Sequence, residues 1–86
     1  MYRVHLLPSA AKQYEQAGIP LARKLARCFE QLQRDPRRHP NIRALVGPFA
    51  GFWRFRVGDH GVVYQIDEAA RIVTVMKIAH RKDVYE

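Results

Sequence analysis

The sequence predicts a small α+β domain in the order βααβββ, with two N-terminal helices packed on one face of a mostly antiparallel four-stranded sheet. Three observations carry this expectation. Apolar residues at Leu21, Leu25, Cys28, Phe29 and Leu32 recur at helical spacing. Three later runs, Phe52–Val57, Val62–Asp67 and Arg71–Ala79, are β-patterned. Short turn-forming segments, Gly58–Gly61 and Asp67–Ala70, separate those runs as in a meander of hairpins. Helices and sheet each own one apolar side, and burying the two against each other leaves the far face of the sheet open.

The elements follow in order. Tyr2 to Leu7 alternates, with β-favouring Tyr2 and Val4, and reads as the first strand; Pro8 ends it. Ser9 is the expected N-cap of a short helix from Ala10 to Ala17, with Gly18 as its stop. Pro20 sits in a first-turn position of the next helix, which runs from Leu21 and is ended by Asp35-Pro36. Its other face carries Arg23, Lys24, Arg27, Glu30 and Arg34 and reads as a solvated surface with a secondary binding role. Pro36 to Ala50 is rich in Pro, Gly and Arg and reads as a connection without regular structure, anchored to the core by Leu45 and Phe49.

With 86 residues the chain is one domain, 1–86, with one small core. A formal charge of +7 favours a polyanionic partner, either nucleic acid or an acidic protein. The lone Cys28 forms no internal disulfide and falls on the apolar helix face, as a small core residue. The start, Met1 to His5, lacks the apolar stretch of a signal peptide, and no apolar run reaches the length of a membrane span, so the expected setting is cytoplasmic.

Two segments concentrate the chemistry. If Trp53, Phe55 and Val57 face the core, the period of two puts Phe52, Arg54 and Arg56 on the opposite side, so the open face carries two guanidinium groups. A second charged cluster, Ile78 to Tyr85, closes the chain. Other constellations are weak: His5, His39, His60 and His80 are scattered and Cys28 is isolated, so no metal site or cofactor is expected. Gly47, Gly51 and Gly58 read as turn residues and Trp53 as core.

These segments resemble the RelE/ParE superfamily of bacterial type II toxin–antitoxin toxins. The resemblance covers nearly the whole chain and rests on Leu45-Val46-Gly47 leading into Gly51 to Asp59, then Val62-Val63-Tyr64-Gln65-Ile66, then Ile78 to Tyr85. It implies the RelE-like fold and a toxin neutralised by a cognate acidic antitoxin, with operator DNA contacted only through the antitoxin complex. RelE-like members cut messenger RNA in the ribosomal A site without a metal, whereas the ParE branch poisons DNA gyrase. A third alternative is a toxin-fold protein that only binds.

For the RNase alternative, the resemblance matches Arg54, Arg56 and Arg81 to basic positions suited to the developing phosphorane charge and Tyr85 to a terminal tyrosine that resembles a catalytic residue, while His80 offers an imidazole able to act as base or acid. Guanidinium forks suit phosphate, and an arginine, being permanently protonated, does not serve as base. His80 is the preferred base if it faces the site. Arg43, Lys77 and Lys82 are added as RNA- or phosphate-binding cations. One departure stands out: RelE-like toxins commonly carry an arginine where this chain has Gly61, a loss of about 2 to 4 kcal/mol of transition-state stabilisation. His60, Lys77 and Lys82 are the neighbours that would compensate.

Overall fold

A computed structural model describes residues 1–80 and 82. The described residues form β1 (Arg3–Leu6), α1 (Pro8–Glu15), α2 (Ile19–Arg34), β2 (Ile42–Ala44), a 3-10 turn (Gly47–Phe49), β3 (Trp53–Val57), β4 (His60–Asp67) and β5 (Ile72–His80). The strands make one sheet in the order β1-β5-β4-β3-β2. Only the β1–β5 pairing is parallel; the other three are antiparallel, as expected of a mostly antiparallel sheet.

The described sheet has five strands rather than the expected four. The extra strand is β2, which pairs Ile42 with Phe55, Arg43 with Arg54 and Ala44 with Trp53. Three residues of mixed character carry no alternation of their own, and non-local backbone bonds to β3 decide their state. The connection from Pro36 to Ala50 is held at different points from those expected. Phe49 is exposed and Leu45 half-buried, while Pro36 is fully buried and the His39 ring stacks on Phe55 at 4.8 Å. Tyr64, wholly buried, donates its hydroxyl to the Pro36 carbonyl at 2.6 Å.

The helix boundaries also move. Pro8 occupies the first helical position of α1, where its missing N–H is no loss, so Leu7 rather than Ser9 is the N-cap. Gly18 has φ −65 and ψ 165, extended geometry, and is the N-cap of α2 rather than a left-handed stop. The β3–β4 hairpin turns on two residues, Gly58 and Asp59, since Val57 pairs with His60. Gly58 supplies the positive φ, +59, that a tight hairpin needs at its first central position.

Leu25, Cys28 and Leu32 of α2 and Ala10 of α1 pack on Phe55, Val57, Val62, Tyr64, Val73, Val75 and Ile78. Tyr14 meets Phe29 edge-on at 5.3 Å and ties the two helices together. At one end of the sheet, Glu68 accepts from the Tyr2 hydroxyl at 2.6 Å and pairs with Arg37 at 2.9 Å and Arg71 at 3.3 Å. Arg71 itself has φ 57, and its carbonyl accepts the Arg3 amide at 2.9 Å, joining the β4–β5 turn to β1.

Candidate nucleic-acid interface

Pleating sends alternate residues of β3 to opposite sides. Phe55 and Val57 are buried under the helices, whereas Arg56 is exposed and Arg54 half-buried on the open face. Residues directly opposed across paired strands share a side, so the register maps this face onto the neighbouring strands. Arg43 of β2 opposes Arg54, Arg54 opposes Val63 of β4, and Val63 opposes Lys77 of β5. A transverse row with three cations thus crosses four strands. From strand spacing, the backbones of Arg43 and Arg54 lie about 5 Å apart and those of Arg54 and Lys77 about 10 Å. The adjacent row holds Arg56, Gly61 and Ala79.

Like charges directly opposed on an antiparallel pair repel. An anion bridging two guanidinium groups offsets such repulsion with charge-assisted hydrogen bonds. A shallow recess of about 70 Å³, lined by Pro40, Asn41, Ile42, Arg43, Arg54 and Arg56, lies at this edge. The Arg56 amide donates to the Asn41 carbonyl at 2.9 Å, so the loop that Tyr64 pins at Pro36 is tied to β3 where the recess opens.

The structure therefore brings Arg43, Arg54, Arg56 and Lys77 onto one face. It places His80 elsewhere. His80 opposes His60, which opposes Val57, and this row shares the side of the buried Val57 under the helices. The two imidazoles meet edge-on at 5.4 Å, and His80 Nδ1 accepts the Lys82 amide at 3.3 Å. The condition attached to His80 as base, that it face the cations, is not met by this register. Lys82 is exposed beyond the end of β5. Arg81 and Tyr85 lie outside the described residues.

Gly61 projects onto the open face opposite Arg56, so an arginine there would have joined the cation field. Of the residues expected to compensate, Lys77 is its diagonal neighbour on the same face and His60 is on the other. The described histidine on the open face is His5, in β1 beside Thr74, three strands from β3. Burial pushes the Cys28 thiol up to about 12, which fits a core residue and not a nucleophile. Among the described residues no His, Cys, Asp and Glu group of three or more is arranged to hold a metal ion.

The charged face of α2, expected to be a solvated surface with a secondary binding role, is one wall of a second cationic feature. A groove of about 580 Å³ runs between α2 and the end of β3, with Lys24, Arg27, Arg34 and Arg56 among its walls. The signal was present: positions 24, 27 and 34 fall on one stripe of a helix. What the sequence lacked was the strand that this stripe faces.

The profile of the family described as the ParE toxin of the type II toxin–antitoxin system, parDE, matches residues 4–85. Among solved structures, the chain is similar to a chain of an archaeal RelE–RelB complex from Pyrococcus horikoshii OT3, with 20% identity, a TM-score of 0.82, and 96% of this chain and 98% of that one covered. It is similar to a YoeB/ParE toxin from Agrobacterium tumefaciens, with 19% identity and a TM-score of 0.81 over 91% of this chain and 96% of that one. It also resembles a chain of the RelBE2 toxin–antitoxin complex from Mycobacterium tuberculosis, at 21% identity and a TM-score of 0.80 over 93% and 98% of the respective chains. These likenesses show the fold. No curated protein matches the chain in sequence. No helix among the described residues is long and apolar enough to cross a membrane.

Proposed function

The chain belongs to the ParE toxin family of type II toxin–antitoxin systems, within the RelE/ParE superfamily, and from that premise we propose that it binds messenger RNA on the open face of its sheet and cleaves it on the ribosome. The observation that carries this reading is the row Arg43, Arg54 and Lys77 with Arg56 beside it. Cations in this arrangement meet the charge that develops as a 2′-oxygen attacks the adjacent phosphorus. The new P–O2′ bond forms as the P–O5′ bond breaks, leaving a cyclic phosphate and a free 5′-hydroxyl. The 2′ proton must pass to a base and the 5′-oxygen must receive one. With His80 on the helix side of the sheet, Tyr85 takes the proton-transfer role by the resemblance, and Arg81 adds a further cation. An acidic antitoxin that covers these cations neutralises the toxin by charge complementarity, and operator DNA is contacted through that complex.

Primer extension on messenger RNA held in ribosomes with an empty A site tests the reading. Cuts that require the ribosome and disappear with Arg54→Ala are expected. A folded, toxic protein that makes no cuts overturns it.

One observation favours a second reading, inhibition of DNA gyrase without catalysis. On β2, β3, β4 and β5 the described open-face positions hold no histidine, and Gly61 holds no arginine. Loss of gyrase supercoiling with purified toxin, alongside intact messenger RNA, would establish that alternative.

A further inference from the structure

Arg56 stands at a junction. It borders the shallow recess beside Arg43 and Arg54, and it also borders the 580 Å³ groove against α2. The topology permits this because β2 pairs with β3 only as far as Ile42 and Phe55, after which β3 is itself the edge of the sheet. Across that edge stand Lys24, Arg27 and Arg34, with a single carboxylate, Glu30, among the groove's walls. Among the described residues no ion pair engages Lys24, Arg27, Arg34 or Arg56. A concave, uncompensated cationic wall concentrates anions.

We infer that this groove holds phosphates of a single-stranded RNA that continues over the sheet edge from the open face, with Arg56 shared by both surfaces. The inference rests on the RNA reading of the open face and names where the strand goes next. An acidic peptide fits less well. The groove's apolar residues, Cys28, Phe55 and Val57, are 2%, 5% and 5% exposed, so an amphipathic helix would find little apolar surface to bury there. Phosphate contact needs none.

The test is fluorescence anisotropy with a labelled single-stranded RNA of about 12 nucleotides, a length within the range such surfaces hold. Four proteins are compared over a salt series: the unaltered chain, Lys24→Ala/Arg27→Ala/Arg34→Ala, Arg43→Ala/Arg54→Ala, and the charge-matched Arg3→Ala/Lys12→Ala/Arg38→Ala. Alanine suits the exposed helix positions, and thermal melts confirm that each variant is folded. Losing three phosphate contacts lowers the slope of log K against log salt by about 2, equivalent to roughly a hundredfold weaker binding at 0.1 M relative to 1 M. That loss is expected in the groove variant and not in the charge-matched one. Unchanged binding in the groove variant, with loss in Arg43→Ala/Arg54→Ala, overturns the inference and leaves the open-face reading intact. Equal loss in the groove and charge-matched variants overturns it in favour of a diffuse field. No binding of free RNA by the unaltered chain overturns the inference while ribosome-dependent cuts decide the open-face reading separately, and RNA binding left intact in Arg43→Ala/Arg54→Ala counts against that open-face reading. Poly-glutamate binding that the groove variant loses while RNA binding persists overturns it in favour of an acidic protein.

Discussion

Replacing Tyr64 with Phe isolates the contact that fixes the cationic edge. The ring stays, so no cavity opens, and the change deletes one hydroxyl that donates to the Pro36 carbonyl at 2.6 Å. Tyr64 is 0% exposed and Pro36 is also fully buried, so water does not readily replace the lost donor. Leaving a buried acceptor unsatisfied costs about 1 to 3 kcal/mol. Against the total expected of a domain this size, roughly 4 to 13 kcal/mol, that is a substantial share. Each kcal/mol lowers Tm by about 4 to 8 °C in so small a domain. Urea and thermal unfolding should therefore show a clear drop in midpoint, with the urea m-value unchanged. Because the same loop reaches β3 through the Asn41 carbonyl, the Arg56 amide should also exchange its hydrogen faster in the variant. A stability change under about 0.5 kcal/mol, with Arg56 protection intact, would refute the idea that this bond holds the loop.

Three further outcomes follow from other contacts. The Tyr2 hydroxyl first, and then Arg37, hold the Glu68 carboxyl below its ordinary value. A carboxyl depressed on folding contributes stability that is full above its unfolded pKa, about 4.3, and is lost as pH falls through the folded value. Glu68→Gln should shrink that acid-side loss while lowering stability at neutral pH, as read from midpoints across a pH series. Cys28, buried and pushed up to about 12, should resist a thiol reagent at pH 8 in the native protein and react fully in denaturant. Gly58→Ala should destabilise by about 1 to 2 kcal/mol through its positive φ alone, because the added carbon meets Lys24 Nζ at an ordinary 3.8 Å; equal midpoints would contradict this.

The sequence disclosed what local pattern encodes and missed what only pairing decides. The α2 face was legible because Leu25, Cys28 and Leu32 repeat with the helix and are all buried. Arg54 and Arg56 were legible because strand alternation is rigid, and both lie opposite Phe55 and Val57. β2 was not, since Ile42, Arg43 and Ala44 become a strand only against β3. Phe49 misled through its hydrophobicity, yet it is 42% exposed, while the less conspicuous Pro36 is buried by Tyr64's reach. The side taken by His80 was fixed by its pairing through His60 to Val57, a relation that no spacing along the chain reveals. Local geometry also yielded to neighbours at Gly18, whose extended backbone caps the helix after it.

The parallel pairing of β1 with β5 sets a schedule for synthesis. β1 lies at one edge of the described sheet and precedes every other strand along the chain, yet its strand partner β5 is the last of the described strands to be made. Until 72–80 emerge, Val4 and Leu6 have no neighbouring strand, and the core still lacks Val73, Val75 and Ile78. Long-range closures of this kind are slow relative to hairpins, which bring together residues already close along the chain. The nascent chain therefore gains its helices and central hairpin before its sheet is complete, so the cationic face, spread across β2 to β5, comes together only once β5 has emerged.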